Sequence, residues 1–300
     1  MKTKLSDNMQ GAILMAACMA SFAINDALIK SSSAFFPLFQ AIFLRSLFTT
    51  GFLGLMALRK KVRLQGISKA DWKLILLRSA GEIIGAFFFL YAVFNMPLAN
   101  ATAILQSMPL AVTVGAAIFL KEPVGWRRYI AVIIGFIGVM IIVRPGTEGF
   151  THYSFYALAA VVFIVTRDLA TRRISKAVPS FLVSFITSVG ITISSAVMLL
   201  FVDWQPVTLE NISILFAASI FVIAGYVLSV SSMRVGEIGF VSPFRYTILI
   251  WSMLLGVIVF GDIPDVWMLV GSAIVVSMGI YTFYRERKVM AKLQNSGKMT

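Results

Sequence analysis

Long apolar runs, separated by short polar segments, cover almost the whole chain. Each run has about 20 mostly apolar residues, the length at which an α-helix crosses a hydrocarbon core about 30 Å thick. Apolar residues are continuous within a run instead of alternating with polar ones, which excludes the strands of a β-barrel. We predict an all-α integral membrane protein with ten transmembrane helices, near residues 10–31, 37–58, 73–94, 98–120, 126–143, 153–173, 179–202, 210–231, 238–260 and 266–284.

The two halves of the chain carry matching polar landmarks about 140 residues apart. The segment ASFAINDALIKSSSAFFP (20–37) matches VFIVTRDLATRRISKAVP (162–179): each has an aspartate, a basic residue four positions later and a terminal proline. Segment 95–126 similarly matches 234–267. Because each half holds five spans, an odd number, the halves are expected to cross the membrane in opposite senses as an inverted-topology repeat.

This repeat sets the predicted domain organisation. The expected units are a first five-helix repeat at 1–148, a second five-helix repeat at 149–288 and a polar cytoplasmic tail at 289–300. Gly135, Gly138, Gly271 and Gly279 lie in the last span of each repeat, where small residues favour close helix contact.

Charge supports a membrane protein and predicts its orientation. The 300 residues are 59% hydrophobic and carry 26 Lys and Arg against 13 Asp and Glu, a net charge of +13. The cations form short clusters between apolar runs and are not interleaved with aromatics on a solvated face, which argues against nucleic-acid binding. An inside N-terminus places the basic segments 59–73 and 285–300 on the cytoplasmic side and leaves little beyond Lys30 and Arg144 opposite. The positive-inside rule thus predicts a multi-pass protein of the inner (plasma) membrane with both termini cytoplasmic.

Charged residues within the spans are candidates for coupling or gating, because a charge at bilayer depth is costly and usually faces protein or water. They are Asp26, Arg45, Arg78, Glu82 and Asp168. Arg78 and Glu82 are four residues apart and can form an ion pair on one helix face. Glu82 then has either a packing role or a role as a proton acceptor.

The remaining intramembrane charges are expected to pair near the two interfaces. Asp26 and Lys30, four residues apart, can form a local pair whose lysine reaches water. Arg167, Asp168 and Arg172 can do the same at the opposite interface, and Arg45 is expected to pair with Asp26. For these residues we weigh anchoring and gate-like pairing against direct substrate contact.

A candidate substrate site lies on the fourth and ninth spans, which both contain a proline that frees backbone carbonyls. Arg245 lies in the middle of the ninth span without a local acidic neighbour, so it needs a distant protein partner or a substrate carboxylate. Polar partners are expected from Asn100, Gln106 and Tyr246, and stacking surfaces from Tyr91 and Trp251.

Three segments resemble one known family. They are LRSAGEIIGAFFFLYAVFNMPLANATAILQSMPL (77–110), LKEPVGWRRYIAVIIGFIGVMIIVRPG (120–146) and SPFRYTILIWSMLLGVIVFGDIPD (242–265). Through them the chain resembles the drug/metabolite transporter superfamily, in its ten-helix type with two EamA-like repeats. The resemblance implies a carrier that moves small metabolites by alternating access through a central cavity lined by both halves.

The expected function is secondary transport of a small polar metabolite, such as an amino acid, another zwitterion or a carboxylate-bearing compound, with proton coupling as one option. A carrier for a cofactor-like aromatic solute, of the riboflavin or S-adenosylmethionine type, remains open. An intramembrane enzyme lacks support, because the chain has one cysteine, one histidine and no HExxH motif. A channel would usually have a filter loop or a ring of charge. We therefore expect no catalytic residues, metal or cofactor, and as partners a small-molecule substrate and the lipid bilayer, in a monomer or weak homodimer.

Accessibility labelling tests the predicted topology. Single cysteines placed at the two termini of a Cys18→Ser variant should react with an impermeant reagent only from the cytoplasmic side. A terminus that reacts from the other side would contradict the ten-span inverted arrangement.

Overall fold

A computed structural model describes residues 6–59, 67–121, 125–145, 151–175 and 178–295. The α-helices are α1 (Asp7–Ser31), α2 (Leu38–Arg59), α3 (Lys69–Asn95), α4 (Leu98–Leu105), α5 (Met108–Phe119), α6 (Trp126–Val143), α7 (Tyr153–Arg173), α8 (Ser180–Met198), α9 (Leu209–Val235), α10 (Ile238–Val241), α11 (Thr247–Phe260) and α12 (Val266–Asn295). Short 3-10 helices occur at Ser32–Ala34, Leu199–Phe201 and Ser242–Tyr246.

Among the described residues, ten helical stretches are long and apolar enough to cross a membrane, which confirms the predicted number. The fourth span consists of α4 and α5, and the ninth of Ser242–Tyr246 followed by α11. The predicted repeat boundary at 148 and 149 lies outside the described residues, as do 60–66 of the basic loop and 296–300 of the tail. The tail is helical in its first part, because α12 continues to Asn295.

Several helices begin where side chains satisfy backbone N–H groups that have no partner within the helix. The Ser6 hydroxyl accepts a hydrogen bond from the Met9 N–H at 3.3 Å at the start of α1. Before α9, the Thr208 side chain accepts from the Asn211 N–H while the Asn211 side chain accepts from the Thr208 N–H, a reciprocal capping box. Local sequence thus sets these boundaries at the ends of apolar runs.

The main helix contacts join one repeat to the other. α1 packs along α9, and its counterpart in the second repeat, α7, packs along α3. Three further contacts join helices that correspond to each other in the two repeats: α2 with α8, α4 with α11 and α6 with α12. This reciprocal pattern is what two inverted repeats related by a pseudo-twofold axis produce.

Glycines allow a close contact between α6 and α12. A Cβ atom added to Gly271 would lie 2.6 Å from the Gly138 carbonyl oxygen and 3.2 Å from the Ile142 backbone nitrogen. The Ile142 side chain lies 2.6 Å away as well and can adjust, but the two backbone atoms cannot rotate away, so the helices themselves would have to move. The two glycines thus have the packing role predicted from sequence.

A methyl group at Gly271 should force α6 and α12 apart. Gly271→Ala is expected to destabilise the fold by about 1–3 kcal/mol, the usual cost of overpacking, and to lower the apparent melting temperature in detergent. Gly51→Ala is the matched control, since a Cβ there meets nothing within 4 Å. Equal melting temperatures for the two variants would contradict the proposed backbone contact.

Candidate functional site

The fourth and ninth spans each contain a break in α-helical geometry, near mid-length in the fourth and in the first five residues of the ninth. α4 ends before Gln106, α5 begins after Ser107, and Pro109 lies in the first turn of α5. In the ninth span, Pro243 lies in the 3-10 helix that precedes α11. A proline has no N–H and clashes with the carbonyl four residues before it, so a continuous α-helix cannot pass through either position unchanged.

The two breaks contact each other. The Gln106 side-chain amide donates a hydrogen bond to the Arg245 carbonyl oxygen at 3.3 Å. Gln106 and Arg245 are equivalent in the aligned segments, each eleven residues after the segment's first residue, Asn95 or Arg234. Hydroxyls cap other carbonyls at the breaks: Ser107 donates to Ile104 at 2.7 Å. Backbone carbonyls at the breaks thus accept hydrogen bonds from protein side chains. This is necessary because the hydrocarbon core of the membrane offers no hydrogen-bond donors.

A cavity of about 300 Å³ lies beside this junction. Its walls come from α5, from the end of α7, from the middle of α12 and from the start of α6, together with Arg245. Pro109 and Thr113 on α5 line it, as do Gly279 and Thr282 on α12. The cavity lies toward the end of the bundle that the loop charges predict to be cytoplasmic.

The cavity has more positive than available negative charge. Arg128, Arg172 and Arg245 line it together with one acid, Asp168. The Asp168 carboxylate is already bound by the Arg167 Nε at 2.8 Å. Within the described part of the chain, Arg128 and Arg245 form no ion pair. An anionic group entering the cavity would therefore meet the Arg128 and Arg245 guanidinium groups, which have no acidic partner among the described residues.

Tyr246 lies behind one wall of the cavity. Its side chain is buried, and its hydroxyl has no hydrogen-bond partner among the described residues. The hydroxyl occupies the space beside Gly279 that a larger residue would need. Gly279 therefore borders the cavity on one side and the Tyr246 ring on the other. From sequence alone, Gly279 is predicted only to allow close packing between helices.

A network of buried charges joins the repeats next to the cavity. Glu82 on α3 accepts a hydrogen bond from Arg167 on α7 at 2.9 Å and lies 4.0 Å from Arg78. Arg78 also donates to the Thr187 hydroxyl at 2.6 Å. The Arg78–Glu82 pair predicted from sequence is present, but Arg167 from the other repeat is the closer partner. Glu82 thus links α3 to α7 through compensated charge.

Asn25 mediates the predicted interaction between Arg45 and Asp26. Arg45 donates to the Asn25 side-chain oxygen at 3.1 Å, and the Asn25 amide donates to Asp26 at 2.9 Å. Arg45 therefore lies in the electrostatic field of Asp26 without direct hydrogen bonding to it. Its Nε is buried without a partner in the described chain.

The predicted local pair between Asp26 and Lys30 is wrong for the described side chains. The Lys30 ammonium lies 3.9 Å from Asp262 and donates to the carbonyl oxygens of Val93, at 3.3 Å, and Met96. The physical reason is the end of α3, whose last carbonyls lack helical partners and attract a cation. Lys30 thus connects the ends of the first, third and ninth spans at the predicted outer face.

Three predicted substrate residues lie away from the cavity. Tyr91 packs against Tyr156, with ring centroids 4.7 Å apart, near the other end of the bundle. Trp251 is partly exposed on α11, and Asn100 lies in the first turns of α4. Their assignment stays a prediction, whereas Arg245, Gln106 and Tyr246 are adjacent at the breaks.

Sequence reasoning missed several residues that line the cavity: Arg128, Thr171 and Thr282. They fall near span ends, where charge and hydroxyl groups were assigned to the membrane interface. A signal was present in α5, where Thr113 follows Pro109 by four residues and therefore shares its helix face.

Comparisons with known proteins agree with this architecture. The sequence profile of the EamA-like transporter family matches residues 9–144 and 152–284. The chain is 28% identical over 241 residues to a riboflavin transporter of Vibrio cholerae, covering 79% of this chain and 78% of that protein. It is 27% identical to an S-adenosylmethionine uptake transporter of Rickettsia bellii, covering 72% and 74%. It is 25% identical to a pseudopaline exporter of Pseudomonas aeruginosa, covering 89% and 93%.

A solved crystal structure has the same fold. It superposes with a TM-score of 0.63 and covers 92% of this chain and 98% of its own, at 19% sequence identity.

Removal of the Glu82 charge should destabilise the contact between the repeats. Glu82→Gln leaves Arg78 without its carboxylate and Arg167 with Asp168 alone; loss of one partner of a buried pair costs about 3–5 kcal/mol. We expect a lower melting temperature in detergent at unchanged membrane insertion. Glu210→Gln, at an exposed position in the first turn of α9, is the control. If Glu82→Gln melts with the wild type, the carboxylate does not hold α3 to α7.

Proposed function

The chain belongs to the EamA-like transporter family of the drug/metabolite transporter superfamily, and on this premise we propose that it is a secondary active transporter of a small polar metabolite. It is a multi-pass membrane protein, and its family and relatives are transporters, which are not enzymes. The proposal adds a substrate class, an orientation and a mechanism to that membership.

The position of Arg245 supports a polar, anionic group on the substrate. It borders the cavity at the junction of the two breaks, and no acid in the described chain pairs with it. Arginine keeps its charge at any relevant pH and presents a fork of donors that matches a carboxylate. We therefore assign Arg245 to a carboxylate or another anionic group of the solute, with Gln106 and Tyr246 as its neighbours.

Asp168 supports a zwitterionic solute within that class. Its carboxylate lines the same cavity, and its side chain is 32% exposed although Arg167 binds one of its oxygens. An amino group on the solute would find this carboxylate across from the arginines. The proposed substrate is thus a small compound with an anionic group and, in the amino-acid case, an ammonium group.

Alternating access is the proposed mechanism, in an inner membrane with both termini cytoplasmic. The Lys30–Asp262 contact joins the first and ninth spans at the predicted outer end of the bundle, while the cavity lies toward the predicted inner end. This difference between the two ends supports an inward-facing arrangement. Proton coupling is the natural driving force to test. The double arginine contact of Glu82 supports a structural role for that residue.

A second candidate is a carrier for a flat, cofactor-like solute. Two of the relatives named above carry riboflavin and S-adenosylmethionine. A cluster of tyrosines near the predicted outer end supports it: Tyr91, Tyr153 and Tyr156 have ring centroids 4.7–6.4 Å apart. Such a surface can stack on a planar ring.

Counterflow in proteoliposomes separates the two candidates. The purified protein should exchange a labelled solute from a panel of amino acids, carboxylates, riboflavin and S-adenosylmethionine, saturably and with a response to an imposed pH gradient. Arg245→Gln should lower the uptake of an anionic solute at least about tenfold, the effect of losing one charged hydrogen bond. Arg245→Lys should retain part of it.

Arg234→Gln is the matched control, because Arg234 is an exposed cation in the last turn of α9. Equal uptake by Arg245→Gln and Arg234→Gln would remove Arg245 from the site. Preferred exchange of riboflavin, abolished by Tyr156→Ala but not by Arg245→Gln, would establish the second candidate instead. Unsaturable flux would refute a carrier of either kind.

A further inference from the structure

A shallow groove of about 280 Å³ lies on the surface of the bundle between α6 and α12. The groove is lined on the α6 side by Trp126, Arg127, Ile130, Ala131 and Ile134, and on the α12 side by Met278 and Tyr281. From Trp126 to Ile134 the groove follows α6 for about 12 Å at 1.5 Å per residue. It therefore runs from the end of a span into the depth of the bilayer, separate from the cavity at Arg245.

The mouth of the groove presents three groups that can donate hydrogen bonds and that have no hydrogen-bonding protein partner among the described residues. The Arg127 guanidinium lies 5.3 Å from the centroid of the Trp126 ring, which holds it beside the groove. Arginine and the tryptophan indole donate but do not accept, and the Tyr281 hydroxyl can donate as well. In the described part of the chain, none of these three groups has a side-chain hydrogen bond or an ion pair with another residue. The mouth thus suits a ligand that accepts hydrogen bonds and carries negative charge.

The floor of the groove is apolar. Ile130, Ile134 and Met278 form it, and the two isoleucines are 46% and 39% exposed in a part of the chain that crosses the membrane. A hydrocarbon chain is the natural occupant of such a surface at this depth. A ligand that satisfies both the mouth and the floor must have an anionic head and an apolar tail.

We propose that this groove binds an anionic phospholipid, with the lipid phosphate at Arg127 and Tyr281 and an acyl chain along Ile130 and Ile134. The site is a lipid-binding site at the contact between α6 and α12, the last spans of the two repeats.

The internal repeat provides a comparison that supports an anionic head group. Trp267 begins α12 as Trp126 begins α6, and it is similarly exposed, at 58% against 67%. Arg127 and Arg128 follow Trp126, whereas Met268 and Leu269 follow Trp267. Only one of the two equivalent positions therefore has cations. The predicted orientation puts that position in the cytoplasmic leaflet, where anionic lipids attract basic residues.

Native mass spectrometry tests the site directly. The protein is equilibrated in detergent with an equimolar mixture of phosphatidylglycerol and phosphatidylcholine of the same acyl chains, and retained lipids are counted. We expect phosphatidylglycerol to be retained in preference, and Arg127→Gln to lower its retention about fivefold, the contribution of one basic residue near an anionic membrane surface. Arg127→Lys should retain most of the binding, and the control Arg234→Gln should behave as the wild type.

Fluorescence gives a second readout that does not depend on charge alone. Phosphatidylglycerol with brominated acyl chains should quench part of the tryptophan emission, and Trp126→Phe should lose that part. Equal retention of the two lipids, or no effect of Arg127→Gln at an unchanged melting temperature, would overturn the proposal. Dimers that form through this groove and exclude lipid would overturn it as well, because a second copy would then be the occupant.

Discussion

Each half of the chain finds its packing partners in the other half. α1 lies against α9, α3 against α7, α2 against α8 and α6 against α12, and these contacts are more extensive than those within either repeat. The hydrophobic effect supplies no net attraction between helices in lipid, so their association depends on close packing and on polar contacts. Gly138 and Gly271 allow the close packing, and the side chains around Glu82 provide the polar contacts. The repeats are units of sequence and topology, but they are not separate structural bodies.

The interleaved packing explains why charge can be buried in the described spans. A carboxylate in a low-dielectric interior is tolerated when its charge is compensated and its oxygens accept hydrogen bonds. Glu82 obtains one arginine from its own helix and another from the opposite repeat. The same geometry leaves Arg245 at the junction of the two broken spans without an acid in the described chain. The contrast between a compensated network and an uncompensated arginine distinguishes the framework of the bundle from its candidate binding site.

The features that could be predicted from the sequence are those that depend on residues close to one another along the chain. The spans follow from continuous apolar runs, and the Arg78–Glu82 pair follows from a spacing of four residues. The partner of Lys30 was beyond such reasoning, because Asp262 lies 232 residues away in the sequence and the competing local choice, Asp26, was chemically reasonable. Arg128 and Thr282 were missed for a related reason: a residue near a span end looks interfacial until the packing shows that a cavity reaches it. Proline positions did predict where the fourth and ninth spans lose helical continuity.

The distance between packing partners also bears on biogenesis. During cotranslational insertion, α1 enters the bilayer long before α9, since the chain from Ser31 to Leu209 is synthesised between them. An inserted helix is stable in lipid before its partners are made because its backbone hydrogen bonds are internal. Glu82, in contrast, can bind the Arg167 guanidinium only after the sixth span has been inserted. The first five spans are thus synthesised before the helices that form their most extensive contacts. Assembly is complete only when the last span, α12, leaves the insertion machinery and meets α6.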